Sequence, residues 1–141
     1  MITTGGTEAA TGAQCSPTGI HWVYDSYSTG KTLATALTKP GDNWFFVVMD
    51  NVAGEALQKG IERFLKPTGG TVAGGVRHPL NSPDMSSFLL QAQNSGAKYI
   101  ALGNGGSDLI TSVKQASEFG IIAGGQKLVG IRNHRAELEA G

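Results

Sequence analysis

The chain has a single cysteine, no basic run longer than two residues and no balance of charge to either side. Cys15 alone cannot close an intrachain disulfide, so the chain is not a disulfide scaffold, and with no histidine base near it in sequence it reads as a structural or free thiol. Eleven Lys and Arg offset eleven Asp and Glu, which removes the basic footprint that nucleic acid or an anionic membrane surface would select. Neither is expected as a partner. "MITTGGTEAATG" lacks the basic opening and apolar stretch of a secretory signal, and no run approaches about 18 apolar residues. A soluble chain without an export signal is therefore expected.

Chemical motifs are equally sparse. His21, His78 and His134 show no HxH or HExxH spacing, so no metal is assigned, and each is expected to be a satisfied or solvent-facing histidine. No GxSxG elbow occurs and no paired carboxylates stand out. The sequence thus gives no catalytic residue, no cofactor and no reason to expect an enzyme.

Glycine is what the chain has in excess: 21 among 141 residues, roughly double the usual share of about 7%. The length suits one domain with one core. "NWFFVVMD" (43–50) is a continuous apolar run with the composition of a strand buried on both faces. In 53–66, Ala53, Ala56, Leu57, Ile61, Phe64 and Leu65 mark one helical face, closed by Pro67 and the Gly69-Gly70 pair. "TVAGGV" (71–76) is a weaker strand, followed by the turn cluster "HPLNSP" and by Asp84 as N-cap of "MSSFLLQAQN", whose buried stripe is Met85, Phe88, Leu89 and Ala92.

"AKYIALG" (97–103) is a third strand. After it 107–119 is helical through Leu109, Ile110, Val113 and Ala116, and Gly120 stops it. "QKLVGI" (126–131) is a fourth strand, and "TGKTLATALT" (29–38) a helix ahead of the first. Alternation of this kind predicts an α/β fold, a three-layer αβα sandwich around a mainly parallel sheet.

Ligands of such sheets sit beyond the carboxyl ends of the strands. The loops there hold Asp50, Asn51, Arg77, His78, Asn81, Asn104 and Ser107, which are hydrogen-bonding groups and not an acid, base and nucleophile set. A P-loop-like nucleotide site is the competing chemistry, with Gly30-Lys31-Thr32 opening a helix after a possible strand "IHWVYD" and Asp50 ending an apolar strand. The phosphate loop needs a further glycine where Asp25 stands, and a carboxylate there repels phosphate. "GNGGSD" (103–108) lacks the spacing and the lysine for the same task, and Ser107 or Asp108 is expected to cap the helix that follows.

"CSPTGIHWVYDSY", "NWFFVVMDNVAGEAL", "GGQKLVGI" and above all "RHPLNSPDMSSFLLQAQ" together resemble the periplasmic solute-binding proteins of ABC transporters, in the branched-chain amino-acid-binding group with the type I fold. The resemblance runs from about Gly5 to Ile131. It implies two lobes closing on a small polar solute, such as an amino acid or related carboxylate, for delivery to a membrane permease, and a periplasmic location. It also implies a partial chain: residues 1–19 as the tail of the first lobe and the hinge crossing, 20–131 as the α/β lobe, and 132–141 as a divergent tail. Solute contacts then fall on Gly6 and Thr7 from the first lobe and on Asp50, Asn51, Val52, Ala53, Asn104 and Gly105 from the second. Val52 or Ala53 stands where the family often has an aromatic, so stacking on the solute is not expected. A lone lobe exposes the surface its partner would cover, so a homo-oligomer is expected; a self-assembling fragment with no ligand is the remaining alternative.

Overall fold

The computed structural model describes residues 12–13, 15–20 and 25–131. Within them the order is α1 (Ser26–Leu37), β1 (Asn43–Met49), α2 (Val52–Leu65), a 3-10 turn (Lys66–Thr68), β2 (Thr71–His78), α3 (Ser86–Asn94), β3 (Tyr99–Gly103), α4 (Ser107–Glu118) and β4 (Lys127–Gly130). The four expected strands form one parallel sheet in the order β2-β1-β3-β4. β1 is central, which is why its sequence is apolar on both faces. β2 lies at an edge, and its exposed residues match its weaker strand signal.

Alternation along β1 divides the core into two layers. Trp44, Phe46 and Val48 face α1 and α2, where Ala34, Ile61 and Leu65 are fully or almost fully buried. Phe45 and Val47 face α3 and α4, packing with Leu89, Ala92, Leu109 and Ala116. The result is the expected αβα sandwich. The end of α1 is fixed to the sheet by two hydrogen bonds: Tyr99 donates to the Leu37 carbonyl at 2.8 Å, and Trp44 Nε1 donates to Thr38 Oγ1 at 3.0 Å.

α1 and α2 meet at glycines. A Cβ on Gly30 would lie 2.2 Å from the Gly60 carbonyl oxygen, and one on Gly60 would lie 2.6 Å from that of Ser26. Backbones this close admit no side chain between them.

Several details differ from the sequence reading. α1 begins at Ser26, three residues early, because Asp25 and Ser28 form a reciprocal capping box. β2 extends to His78, and α3 starts at Ser86 with Met85 as its N-cap in place of the expected Asp84, whose Oδ1 accepts the Ser86 N–H at 2.8 Å from one residue further back. Ala53 and Val113 were expected on buried faces and are exposed. The buried side of α4 is instead Asp108, Leu109, Ser112 and Ala116. Neither Ser107 nor Asp108 caps α4: its N-cap is Gly106, at φ 61.

Candidate functional site

β1 leads through α2 to β2 on one side, and β3 leads through α4 to β4 on the other. Their loops therefore diverge to opposite faces of the sheet, leaving a crevice at the carboxyl ends of β1 and β3, where open α/β sheets take ligands. Val48 and Gly103 are register partners there, so Asp50–Ala53 and Asn104–Gly105 leave from one end of one strand pair.

The β1–α2 loop is tight. The Asp50 N–H donates to the His78 carbonyl at 2.8 Å, and Asn51 caps α2 by accepting the Gly54 N–H at 2.8 Å. Gly54 permits the turn, since a Cβ there would lie 2.1 Å from the Met49 carbonyl oxygen. Asp50 is exposed, with its carboxylate 3.9 Å from Arg77 Nη1, and Glu55 lies 4.0 Å from the same nitrogen. A hydrogen bond from Lys59, then the charges of Lys59 and Arg77, hold the Glu55 carboxyl below its ordinary value. Val52, at the first helical position, is 86% exposed, and Ala53 beside it is also exposed.

Asn104 is placed differently from these. Its side chain is fully buried, and Nδ2 donates to Ser112 Oγ at 2.9 Å, which in turn donates to the Asp108 carbonyl at 2.7 Å. Beside it lies His78, also fully buried. The Pro79 carbonyl, 2.8 Å from His78 Nδ1, can only accept, so Nδ1 carries the ring hydrogen and Nε2 is left as an acceptor, 3.4 Å from Asn104 Nδ2. Asn104 Oδ1 is buried without a partner. The outward part of this loop is thus the backbone of the half-buried Gly105 and of Gly106.

The structure brings Asp50, Asn51, Val52 and Ala53 to one lip of the crevice and Asn104 and Gly105 to the other. Gly6 and Thr7 lie outside the described residues, as does most of "IHWVYD". His78, Ser112 and Asp108 form a polar layer under the β3–α4 loop that sequence reasoning did not assemble. A serine one helical turn after an aspartate, on a helix otherwise apolar on that side, was the available signal. The nucleotide reading loses its geometry: Gly30 lies within α1 and is consumed by the contact with Gly60, and Asp25 caps that helix.

Over residues 1–140 the chain matches the Periplasmic binding protein family. Among solved structures, a periplasmic binding protein from Burkholderia mallei shares 40% identity at a TM-score of 0.88, covering 96% of this chain and 36% of that one. A branched chain amino acid ABC transporter periplasmic ligand-binding protein from Burkholderia xenovorans LB400 shares 34% at 0.87, with coverages of 96% and 36%. An amino acid ABC transporter substrate-binding protein from Pseudomonas fluorescens Pf-5 shares 25% at 0.80, with 92% and 35%. The chain thus spans little more than a third of the length of these relatives. No curated protein matches it.

Proposed function

This chain belongs to the periplasmic binding protein family, and from that premise we propose that it is the second lobe of a solute-binding component of an ABC transporter. The function is non-covalent capture of a small polar solute, an amino acid or related carboxylate, for transfer to a membrane permease. What carries the reading is the crevice between the carboxyl ends of β1 and β3, lined from Asp50–Ala53 and from Asn104–Gly105. Such an edge supplies convergent hydrogen-bonding groups from one side only, and enclosure of a solute requires a second wall. Residues 20–131 form this lobe in our reading, with 1–19 belonging to the first lobe and hinge and 132–141 a divergent tail.

Within this division of labour, Asp50 and Asn51 offer polar contacts, Val52 and Ala53 an apolar lip, and the Gly105 backbone a close approach. Gly6 and Thr7 are the proposed contribution from the first lobe. The test is calorimetry against a panel of branched-chain and other amino acids and aromatic acids. The chain joined to a first lobe is expected to bind one of them with micromolar affinity, and the 141-residue chain alone weakly or not at all. Absence of binding by the joined protein overturns the function, and micromolar binding by the chain alone overturns the need for a second wall.

Val52 at 86% exposure and Leu80 at 56% sit at the carboxyl edge of the sheet, which the first lobe would face. We infer that the isolated chain self-associates through this edge. A monomer mass at all concentrations in light scattering would rule that out.

A further inference from the structure

Gly105 and Gly106, the outward part of the β3–α4 loop, are fastened at both ends to one helix. Ser107 continues the chain into α4, and Asn104 reaches further along the same helix, its Nδ2 donating to Ser112 Oγ at 2.9 Å. We propose that Asn104 serves the solute site as a positioning residue: held by Ser112 and His78, it sets the main chain of Gly105 and Gly106 in the shape that meets the solute. The last clause rests on the proposed reading that this loop borders the solute; the hold on the loop does not.

Two adjacent glycines have the widest conformational freedom a chain offers, so their shape has to be imposed by what surrounds them. Gly106 stands at φ 61 and ψ −138 as the N-cap of α4, and among the described residues no side chain caps that helix. A Cβ on Gly106 would meet nothing within 4 Å, so the backbone conformation, and not a lack of space, calls for glycine there. The Ile110 N–H reaches the Gly106 carbonyl only at 3.3 Å, at the long end for such a bond.

Asn104 supplies the hold that the glycines lack. Ser112 Oγ spends its hydrogen on the Asp108 carbonyl at 2.7 Å and so only accepts from Asn104 Nδ2. His78 Nε2, at 3.4 Å, accepts from the same group, while Nδ1 ties the ring to the Pro79 carbonyl at 2.8 Å. Both inward partners are acceptors, which gives the amide one orientation. Oδ1 has no partner among the described residues. A buried acceptor in that state is costly, and an apolar side chain at 104 would avoid the cost. The geometry imposed by the two Nδ2 hydrogens is what the amide supplies in return. The chain after His78 is braced on α4 as well, through Asp108 Oδ2 accepting the Asn81 N–H at 2.9 Å. Asn104 is thus locked between a helix and a strand end that are themselves joined, as a group that positions a binding surface has to be.

The test has two arms. In the first, NMR relaxation is measured on the labelled 141-residue chain without solute. Backbone order parameters at Gly105 and Gly106 are expected to drop from about 0.85 to below about 0.6 in Ser112→Ala and in His78→Asn. Asparagine at 78 keeps a donor for the Pro79 carbonyl and gives up the acceptor for Asn104. His78→Gln, whose amide oxygen stands in for Nε2, is expected to restore the order. Amides of β1 should stay rigid in all three, which separates loss of the hold from a general loss of stability. In the second arm, the chain joined to a first lobe is expected to lose solute affinity about tenfold in Ser112→Ala and His78→Asn, and to recover most of it in His78→Gln. Unchanged order in Ser112→Ala, or equal loss in His78→Asn and His78→Gln, overturns the hold. A loosened loop with unchanged solute affinity overturns the positioning role. A joined protein that binds no solute counts against the function proposed above, and the first arm still decides the hold. Ser112→Ala removes a single atom and decides it alone where a histidine variant fails to fold.

Discussion

Asp108 in the first turn of α4 accepts the main-chain N–H of Asn81 at 2.9 Å, across 27 positions of sequence. Seven residues further along the same helix, Gln115 Oε1 accepts the Met85 N–H at 2.8 Å. One helix thereby holds both ends of the β2–α3 loop, including Asn81 at φ 57, a backbone angle that asparagine tolerates better than most residues. The loop is shaped by the helix beside it as much as by its own turn residues.

Asp108→Ala is expected to release Asn81 and to cost about 1–3 kcal/mol, the range for a hydrogen bond to a charged acceptor and its unpaired remnant. Hydrogen exchange should accelerate at the Asn81 amide and much less at amides of β1. Equal protection at Asn81 in the variant would show that the carboxylate does not hold the loop.

Gly30→Ala places a methyl where the Gly60 carbonyl already stands, at 2.2 Å. Forcing α1 and α2 apart should lower stability by about 1–3 kcal/mol, as overpacking does. Lys31→Ala, on the exposed side of the same helix, should leave thermal midpoints nearly unchanged. Magnesium-dependent ATP binding that Lys31→Ala abolishes would restore the nucleotide reading.

That pair of neighbours shows where sequence reasoning reached and where it stopped. The strands were legible because β1 is buried on both faces and so carries no polar residue between Trp44 and Met49. The αβα layering followed from alternation of strand and helix. Gly30 was ambiguous because a glycine read in sequence does not say what crosses it, and only the Gly60 backbone identifies its task. Asp50, Asn51 and Gly105 were placed by their position after strands. The bonding of Asn104 depends on His78 and Ser112, which are 26 residues before it and 8 after it. Polar residues on the inner side of α4 break the apolar pattern that periodicity looks for, so Val113 was assigned inward and Ser112 was passed over.

The buried end of β1 carries a pH signature. Lys98 Nζ donates to Asp42 at 2.7 Å. This hydrogen bond, then that from the Lys39 N–H, holds the Asp42 carboxyl below its ordinary 3.8, and Asp42 holds the Lys98 ammonium above its ordinary 10.5. The depressed carboxyl contributes stability above about pH 4 that is lost as pH falls through its folded value. The raised ammonium contributes below its ordinary value, and that is lost as pH rises through its higher folded one. Asp42→Asn should therefore lie below the unsubstituted chain in thermal midpoint between these limits and converge with it in acid. A constant difference down to pH 2 would assign the effect to something other than charge.

Gly54→Ala tests the lip of the crevice. Its methyl would meet the Met49 carbonyl at 2.1 Å, so α2 must back away from β1 and take the Asn51 cap with it. In a protein with both lobes, solute affinity should fall at least tenfold, and Asn51→Ala, which removes both the cap and a proposed solute contact, should lower affinity too and cost about 1 kcal/mol of stability. Unchanged affinity in Gly54→Ala would move the binding contacts away from this loop.

The central place of β1 bears on how the chain is made. Its neighbours are β2, which ends at His78, and β3, which ends at Gly103. A ribosome must add some fifty residues after Met49 before the second side of NWFFVVM can be covered, and parallel pairing offers no local hairpin meanwhile. During that interval the most apolar segment of the nascent chain is a strand with at least one edge open to other chains. Holdase binding to stalled chains should accordingly peak for lengths between the emergence of β1 and that of β3.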